Sequence, residues 1–237
     1  MKWLSIIILT LNEEKNIRKI IDNVRQLELI EEAEIIVSDG NSTDSTLEFV
    51  DDNIKIVVSE SNRSRQMKEA IQVAKGSVYW FLHADMVLPK DGLRQIKRVV
   101  GAGYGGGGFA NIFDNYNTRI KRLGVLLNLR FLDRREQSDK GIFYGDNGIF
   151  VSKEYLNKIG GIPQQEIMED YELSVHLRES DCKMYKINNA KIIVSSRRHI
   201  EDGFVKTRLN WIIIRQLYKI GIRPSLCLLY TSPSPRD

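Results

Sequence analysis

The chain of 237 residues is poor in cysteine, with two residues, Cys182 and Cys227. That count excludes a disulfide framework and a multi-cysteine zinc site, and it makes a reducing cytoplasm the expected compartment. Long apolar runs are missing as well. No window reaches the roughly 20 apolar residues of a membrane-spanning helix. Residues 3–11 are too short for a secretory signal and run straight into Asn12-Glu13-Glu14. Nor is there a strong excess of one charge: 35 Lys+Arg stand against 31 Asp+Glu, formally +4. This mild surplus suits anionic ligands or a membrane surface, and it is far from a nucleic-acid-binding arm. The basic residues are dispersed and no recognisable module surrounds them, so nucleic acid is not an expected partner. Internal repeats and low-complexity tracts are absent too, and the length fits one domain with a substantial core.

What is present is organised around residues 77–89, Ser-Val-Tyr-Trp-Phe-Leu-His-Ala-Asp-Met-Val-Leu-Pro. Residues 78–82 form an apolar, β-favouring run that suits a central strand buried on both faces. It stops at His83-Ala84-Asp85, so an imidazole and a carboxylate emerge together where the strand leaves the sheet. Ligands of open α/β sheets bind outside the carboxyl ends of strands. An acidic residue there can hold a divalent cation beside a phosphate. A solvated Asp before a proline turn is the plainer reading of the same stretch.

Three further strands precede it, at residues 4–9, 34–38 and 54–58. Thr10 and Glu13 have capping-box spacing, and Ile17, Ile20, Ile21, Val24 and Leu27 recur on one helical face. Residues 39–44 make a cap-rich turn opening a short helix through Val50. A helix after Asn62 carries Met67, Ala70, Ile71 and Ala74, and Lys75-Gly76 closes it. Strand alternating with helix over four rounds predicts an α/β fold with a doubly wound, mostly parallel sheet and helices on both faces.

Residues 101–106 formally match G-x-G-x-x-G. The dinucleotide reading is rejected, because these glycines follow a helix and precede a strand at 109–112, the reverse of the required order. They permit a close backbone approach or a mobile loop instead. Beyond them we expect an amphipathic helix over 117–131, a strand pair around the acidic turn in 143–150, and a helix from about 170 to 180. Two strands near 183–187 and 191–195 follow, then a final helix over 204–220. The apolar face of that last helix is flanked by Lys and Arg, a pattern that suits the membrane interface or packing on its own domain.

Taken together, these segments resemble the family 2 glycosyltransferases of GT-A fold, most closely a bacterial subfamily often encoded beside radical-SAM and selenium-domain proteins. The resemblance rests on Ser5 to Glu14, Ser38-Asp-Gly-Asn-Ser-Thr-Asp, Arg63-Ser-Arg-Gln-Met, Phe81-Leu-His-Ala-Asp, Tyr144-Gly-Asp-Asn-Gly-Ile-Phe, Met168-Glu-Asp and Ser195-Ser-Arg-Arg, seven segments in family order. It implies transfer of a hexose-type sugar from a UDP- or GDP-sugar donor to an acceptor hydroxyl, a lipid-linked acceptor being one option. The divisions it implies are a nucleotide-binding half at about 1–100, an acceptor-binding half at about 101–203 and an amphipathic helix at about 204–220, all within one domain of 1–226. The enzyme would work in the cytoplasm, with the inner face of the cytoplasmic membrane as a further option.

Residue by residue, the resemblance carries Thr10, Asn12, Glu14 (or Glu13) and Asp39 to the donor's base and ribose, where Asp39 can accept hydrogen bonds. His83, Ala84 and Asp85 stand at the family's D-x-D motif, with His83 in place of the first Asp. Imidazole suits softer ions than Mg²⁺. His83 is therefore assigned to the diphosphate or sugar, and Asp85 to Mg²⁺ or Mn²⁺. Asp170 matches the general base, with Glu169 its rival. Arg197 and Arg198 match a diphosphate grip, which guanidinium groups suit. Arg65 faces either the diphosphate or solvent, as does Arg63. His199 is a further candidate metal ligand, and Asp146 and Asn147 are candidate acceptor contacts. Leu9 stands where the family commonly has Pro.

Two other functions are open at this level. A sugar nucleotidylyltransferase would want a Gly-rich basic loop after the first strand, where Thr10 to Glu14 is acidic. A non-catalytic nucleotide-sugar-binding protein need not keep Asp85 and Asp170. Residues 227–237 resemble the translation of a sequencing-library adapter, so the tail and Cys227 are expected to be non-native.

Overall fold

Strand β1 (Leu4–Thr10) is buried along its whole length, because it has a parallel neighbour on each side. In the computed structural model, which describes residues 2–114, 141–197, 200 and 203–221, β1 pairs with β2 (Ala33–Asp39) and with β4 (Val78–His83). The outer parallel strand is β3 (Lys55–Val58). Helices α1 (Ile17–Arg25), α2 (Arg63–Val73) and α3 (Gly92–Gly101) make the crossovers.

Alternate side chains of β1 and β4 enter opposite cores. Leu4, Ile6, Ile8, Trp80 and Leu82 pack with α1 and α3, whereas Ile7, Leu9, Tyr79 and Phe81 pack with α2 and with Leu156, Leu173 and Leu177 of the second half. A period of 2 read through a strand covered on both faces gives this continuous apolar run. Burying each of these large side chains stabilises the fold by about 1.5–3 kcal/mol. Trp80 also donates its indole N–H to Gly148 O at 3.0 Å and stacks on Phe109 at 5.4 Å.

The second half extends the sheet with β5 (Gly106–Phe113), β6 (Phe150–Ser152) and β7 (Met184–Val194), and adds helices α4 (Lys153–Lys158), α5 (Glu169–Glu179) and α6 (Phe204–Lys219). The seven strands lie in the order β3-β2-β1-β4-β6-β5-β7. Only β6 runs against its neighbours, pairing antiparallel with β4 and β5, while β5 and β7 are parallel.

Several expectations need correction here. Residues 183–195 are one strand, not two: the register against β5 jumps between Phe109 and Ala110, so the apparent break is a bulge. Residues 143–150 hold no strand pair but a 3-10 turn at Gly145–Asn147 leading to β6. The helix expected before Val50 is a 3-10 turn, Leu47–Phe49. Thr10 and Glu13 form no capping box, since α1 starts at Ile17 behind Asn16. Of the two readings of the glycine run, the close backbone approach holds: residues 102–105 turn between α3 and β5, and the glycines after them pack tightly. The Gly106–Gly108 portion opens β5, and a β-carbon at Gly107 would lie 2.0 Å from Tyr185 O and 2.9 Å from Phe150. The expected helix over 117–131, Arg198, His199 and the tail at 227–237 lie outside the described residues.

Candidate active site

Parallel register brings Thr10 level with Asp39 and Leu9 level with His83. The carboxyl ends of the three central strands thus open on one edge. Along that edge, two loops are latched together by short polar side chains. The Asp39 carboxylate is fully buried; it accepts from Thr10 Oγ1 at 2.9 Å, Ser42 Oγ at 2.6 Å and Ser42 N at 2.7 Å. Asn12, at φ 52°, accepts from Thr43 N, and its own N–H donates to Ser42 Oγ. Glu14 N donates to Asp44, and Glu14 Oε2 accepts from Ser45 N at 3.4 Å. Slight burial pushes the Asp44 carboxyl up, but hydrogen bonds from the Thr46 hydroxyl and from backbone N–H groups outweigh it and leave the group below its ordinary range. Glu13 is buried and accepts from Asn16 Nδ2.

One residue that sequence reasoning passed over underpins this edge. Gln66, buried on α2, donates from Nε2 to Thr10 O at 2.7 Å and Ser38 O at 2.8 Å. Its signals were its place in the Arg63-Ser-Arg-Gln-Met segment and its position beside the apolar face of a helix.

A pocket lies beside this edge, lined by Leu9, Met67, Phe81, His83, Gly145, Ile149, Glu169 and Asp170. The His83 ring sits so close to Gly145 that a β-carbon there would lie 2.4 Å from Nε2. Gly145 N donates to Asp170 Oδ2 at 2.6 Å, and Tyr171 N to Oδ1 at 2.6 Å. Met168, just before α5, holds φ 64°, an uncommon conformation for a long side chain. Glu169 is 5 % exposed and faces Arg63, whose Nη1 stands 3.4 Å from its Oε1. That pairing exists because Ser64 and Asn62 side chains donate to Gln165 O, tying the start of α2 to the segment before α5.

Burial pushes the Asp170 carboxyl up from 3.8 to about 7, and the Glu169 carboxylate adds to the rise. The Gly145 N–H, the Arg63 guanidinium and the Tyr171 N–H pull the other way. Placed in a pocket with such a proton affinity, a carboxyl group can take up and release a proton near neutral pH.

The remaining expected residues divide. Ala84 is buried and Asp85 half-buried in the turn after β4. Val87, two residues on, bridges Ile193 of β7, bringing this turn beside the strand end that leads to Arg197. Arg197 itself is exposed. Arg65 stays at the surface, where it pairs with Glu60 at 2.5 Å; the basic side chain that reaches the pocket edge is Arg63. Asp146 is half-buried in the 3-10 turn. Asn147 is buried, and its amide bridges backbone: Nδ2 donates to Phe109 O and Oδ1 accepts from Tyr144 N. It braces the turn and does not line the pocket.

The sequence profile of glycosyl transferase family 2 matches residues 5–160. The chain belongs to this family. The match covers the latched loops and the turn with Asp85, and ends before Asp170. Among curated relatives, a dolichyl N-acetyl-alpha-D-glucosaminyl phosphate 3-beta-D-2,3-diacetamido-2,3-dideoxy-beta-D-glucuronosyltransferase of Methanococcus voltae is 29% identical over 89% of this chain and 72% of its own length. Among solved structures, the mannosyltransferase PcManGT of Pyrobaculum calidifontis, in complex with GDP-Man and Mn²⁺, superposes with a TM-score of 0.68 at 16% identity, over 98% of this chain and 66% of its own. TarS 1-349 of S. aureus gives a TM-score of 0.64 at 16% identity, over 91% of this chain and 65% of its own. These likenesses show the GT-A glycosyltransferase fold, and this chain spans about two thirds of those solved chains.

Proposed function

We propose that this family 2 enzyme transfers a sugar from a nucleoside-diphosphate donor to an acceptor hydroxyl with inversion, and that Asp170 is the general base. The observation that carries this reading is the Asp170 carboxyl, poised near neutral in a pocket at the carboxyl edge of the sheet. In the proposed step the acceptor oxygen bonds to the anomeric carbon while Asp170 takes its proton. The bond from that carbon to the diphosphate breaks, and the diphosphate leaves with the electron pair. The Gly145 N–H holds the carboxylate in place. Glu169, facing Arg63, keeps its proton affinity high enough to act.

The donor's base and ribose are assigned to the edge formed by Thr10, Asn12, Glu14 and Asp39, and His83 and Arg63 to its diphosphate and sugar. Asp85 is the described carboxylate that fits a divalent ion. Among the described residues no three His, Cys, Asp or Glu side chains cluster to hold a metal. One carboxylate with substrate phosphates and water is nonetheless a common set for Mg²⁺ or Mn²⁺. When bound, such an ion neutralises charge on the departing diphosphate. Asp85→Asn should therefore abolish the metal-dependent part of UDP binding, read by calorimetry with and without Mn²⁺.

A lipid-linked acceptor is favoured by the dolichyl phosphate acceptor in the archaeal relative's name. Exposed Leu209, Ile213 and Ile220, with exposed Lys206 and Lys219, support contact of α6 with the membrane face. Among the described residues no helix is long and apolar enough to cross a membrane. The seven ordered motif segments further support the subfamily associated with radical-SAM and selenium-domain proteins.

The test is hydrolysis of UDP-, GDP- and dTDP-sugars with and without Mn²⁺. Metal-stimulated release of one nucleoside diphosphate, with an inverted sugar product, is expected; a retained anomer would exclude the mechanism.

A further inference from the structure

The turn that presents Asp170 has no capping side chain at its N-cap residue. Helix α5 begins behind Met168, whose side chain makes no capping hydrogen bond and whose backbone lies in the left-handed region; among its first-turn N–H groups, that of Tyr171 is taken up by Asp170 itself. Such a helix start relies on its packing for a fixed direction. That packing comes from α6. Met168 is buried with Ile214, and Trp211, Leu217 and Tyr218 close around them.

Three tyrosines connect α6 to the candidate base. Tyr144 precedes Gly145 and Tyr171 follows Asp170, the two residues joined by the Gly145–Asp170 hydrogen bond, and the two rings stack at 6.5 Å and 27°. Tyr218 of α6 meets Tyr171 edge-on at 6.0 Å and 83°. Its hydroxyl donates to Glu172 Oε1, in the first turn of α5. On its other side Glu172 faces His176 Nε2 at 3.4 Å. Burial, and then the Glu172 carboxylate, hold the Tyr218 phenol above its ordinary range, so it remains a donor wherever Glu172 is ionised. A hydrogen bond to an ionised acceptor is roughly twice as strong as a neutral one. Phenylalanine would fill the same space without it.

We propose that Tyr218 is a positioning residue: through its ring on Tyr171 and its hydroxyl on Glu172, it fixes the first turn of α5 and hence the direction in which Asp170 faces the pocket. This rests on the reading of Asp170 as the base, and the experiment separates the two. Tyr218→Phe removes the hydrogen bond and Glu172→Gln reduces it to a neutral one of about half the strength, and each is made alone and with Asp170→Asn. The first measurement is the Gly145 amide resonance in the ¹⁵N-labelled protein, which needs no substrate. It should move toward a weaker hydrogen bond in both single variants. The second is hydrolysis of whichever of UDP-glucose, UDP-N-acetylglucosamine, GDP-mannose or dTDP-glucose turns over fastest. There kcat should fall about tenfold with KM unchanged, within the hundredfold that a misplacement of about 1 Å can cost. Added to Asp170→Asn, neither substitution should lower the rate further, because groups that act as a unit are not additive.

An unchanged Gly145 resonance, or the same tenfold loss on top of Asp170→Asn, would overturn the positioning role while leaving Asp170 as base. Asp170→Asn within a few-fold of wild type would overturn the base and the positioning role together. Should Tyr218→Phe fail to fold, Glu172→Gln carries both readouts.

Discussion

The latched loops and the pocket beside them hold their carboxylates in different ways. Asp39 is fully buried, with three hydrogen bonds from Thr10 and Ser42, and its neighbour Asp44 is held below the ordinary carboxyl range. Asp170 has two backbone N–H donors, but it faces Glu169 and is pushed up to about 7. The first region is held rigid by its hydrogen bonds, with Asp44 kept ionised, and the second is arranged to change its proton. A binding edge gains from preorganised acceptors, whereas a base gains from a proton affinity near the working pH.

The sharpest way to break this comparison is Asp170→Asn. Turnover should fall about 100- to 10,000-fold, while calorimetry shows donor binding nearly intact. Equal loss of binding would put Asp170 with the binding edge.

Asp39→Ala should do the reverse of a chemical lesion. It strands the Thr10 hydroxyl and the Ser42 N–H in a buried place, a cost of about 1–3 kcal/mol, read as a lower Tm and weaker donor binding. A Tm within a degree of wild type would mean that the latch is held by Asn12 and Glu14 instead.

The pH dependence separates the regions with a smaller effect. Asp170 must be ionised to accept a proton, so kcat should rise with pH through about 7. Glu169→Gln removes a like charge and should move that limb to lower pH. For stability the signs also differ. Asp170 binds its proton more tightly folded than unfolded, so it favours the fold at low pH and loses that contribution as pH rises from about 4 to about 7. Asp44 has a depressed value, so its contribution is present above the unfolded value and is lost as pH falls. Thermal melts of Asp170→Asn should accordingly gain most over wild type above pH 7.

The smallest effect belongs to α6. Leu209→Glu with Ile213→Glu should reduce flotation with anionic liposomes at low salt and leave donor hydrolysis within a few-fold. Unchanged flotation would remove the membrane from the account of this helix.

Much of the parallel part of the sheet was legible in the sequence, because local signals agree there. β1, β2 and β4 are apolar runs that stop at Thr10, Asp39 and His83, and buried parallel strands must read that way. The surroundings of the pocket were less legible, since their geometry depends on distant partners. Arg63 and Arg65 look equivalent in sequence; only the tie of Ser64 and Asn62 to Gln165 turns Arg63 toward Glu169 and leaves Arg65 outside. Asn147 sits in a motif that reads as acceptor-facing, yet its amide holds two backbone groups brought together by the fold. Residues 183–195 look like two strands because a bulge interrupts their alternation, and pairing with β5 is what makes them one.

The glycines around β5 carry a consequence for how this protein can vary. At Gly107 a single added methyl would meet the Tyr185 carbonyl, part of the neighbouring backbone, whereas Gly101 has open space around it. Across every one-residue variant of the chain, Gly107 should accept no replacement while Gly101 accepts many. Two identical letters six places apart thus mark a frozen site and a freely drifting one, and substitutions at the first would disappear from any selected library.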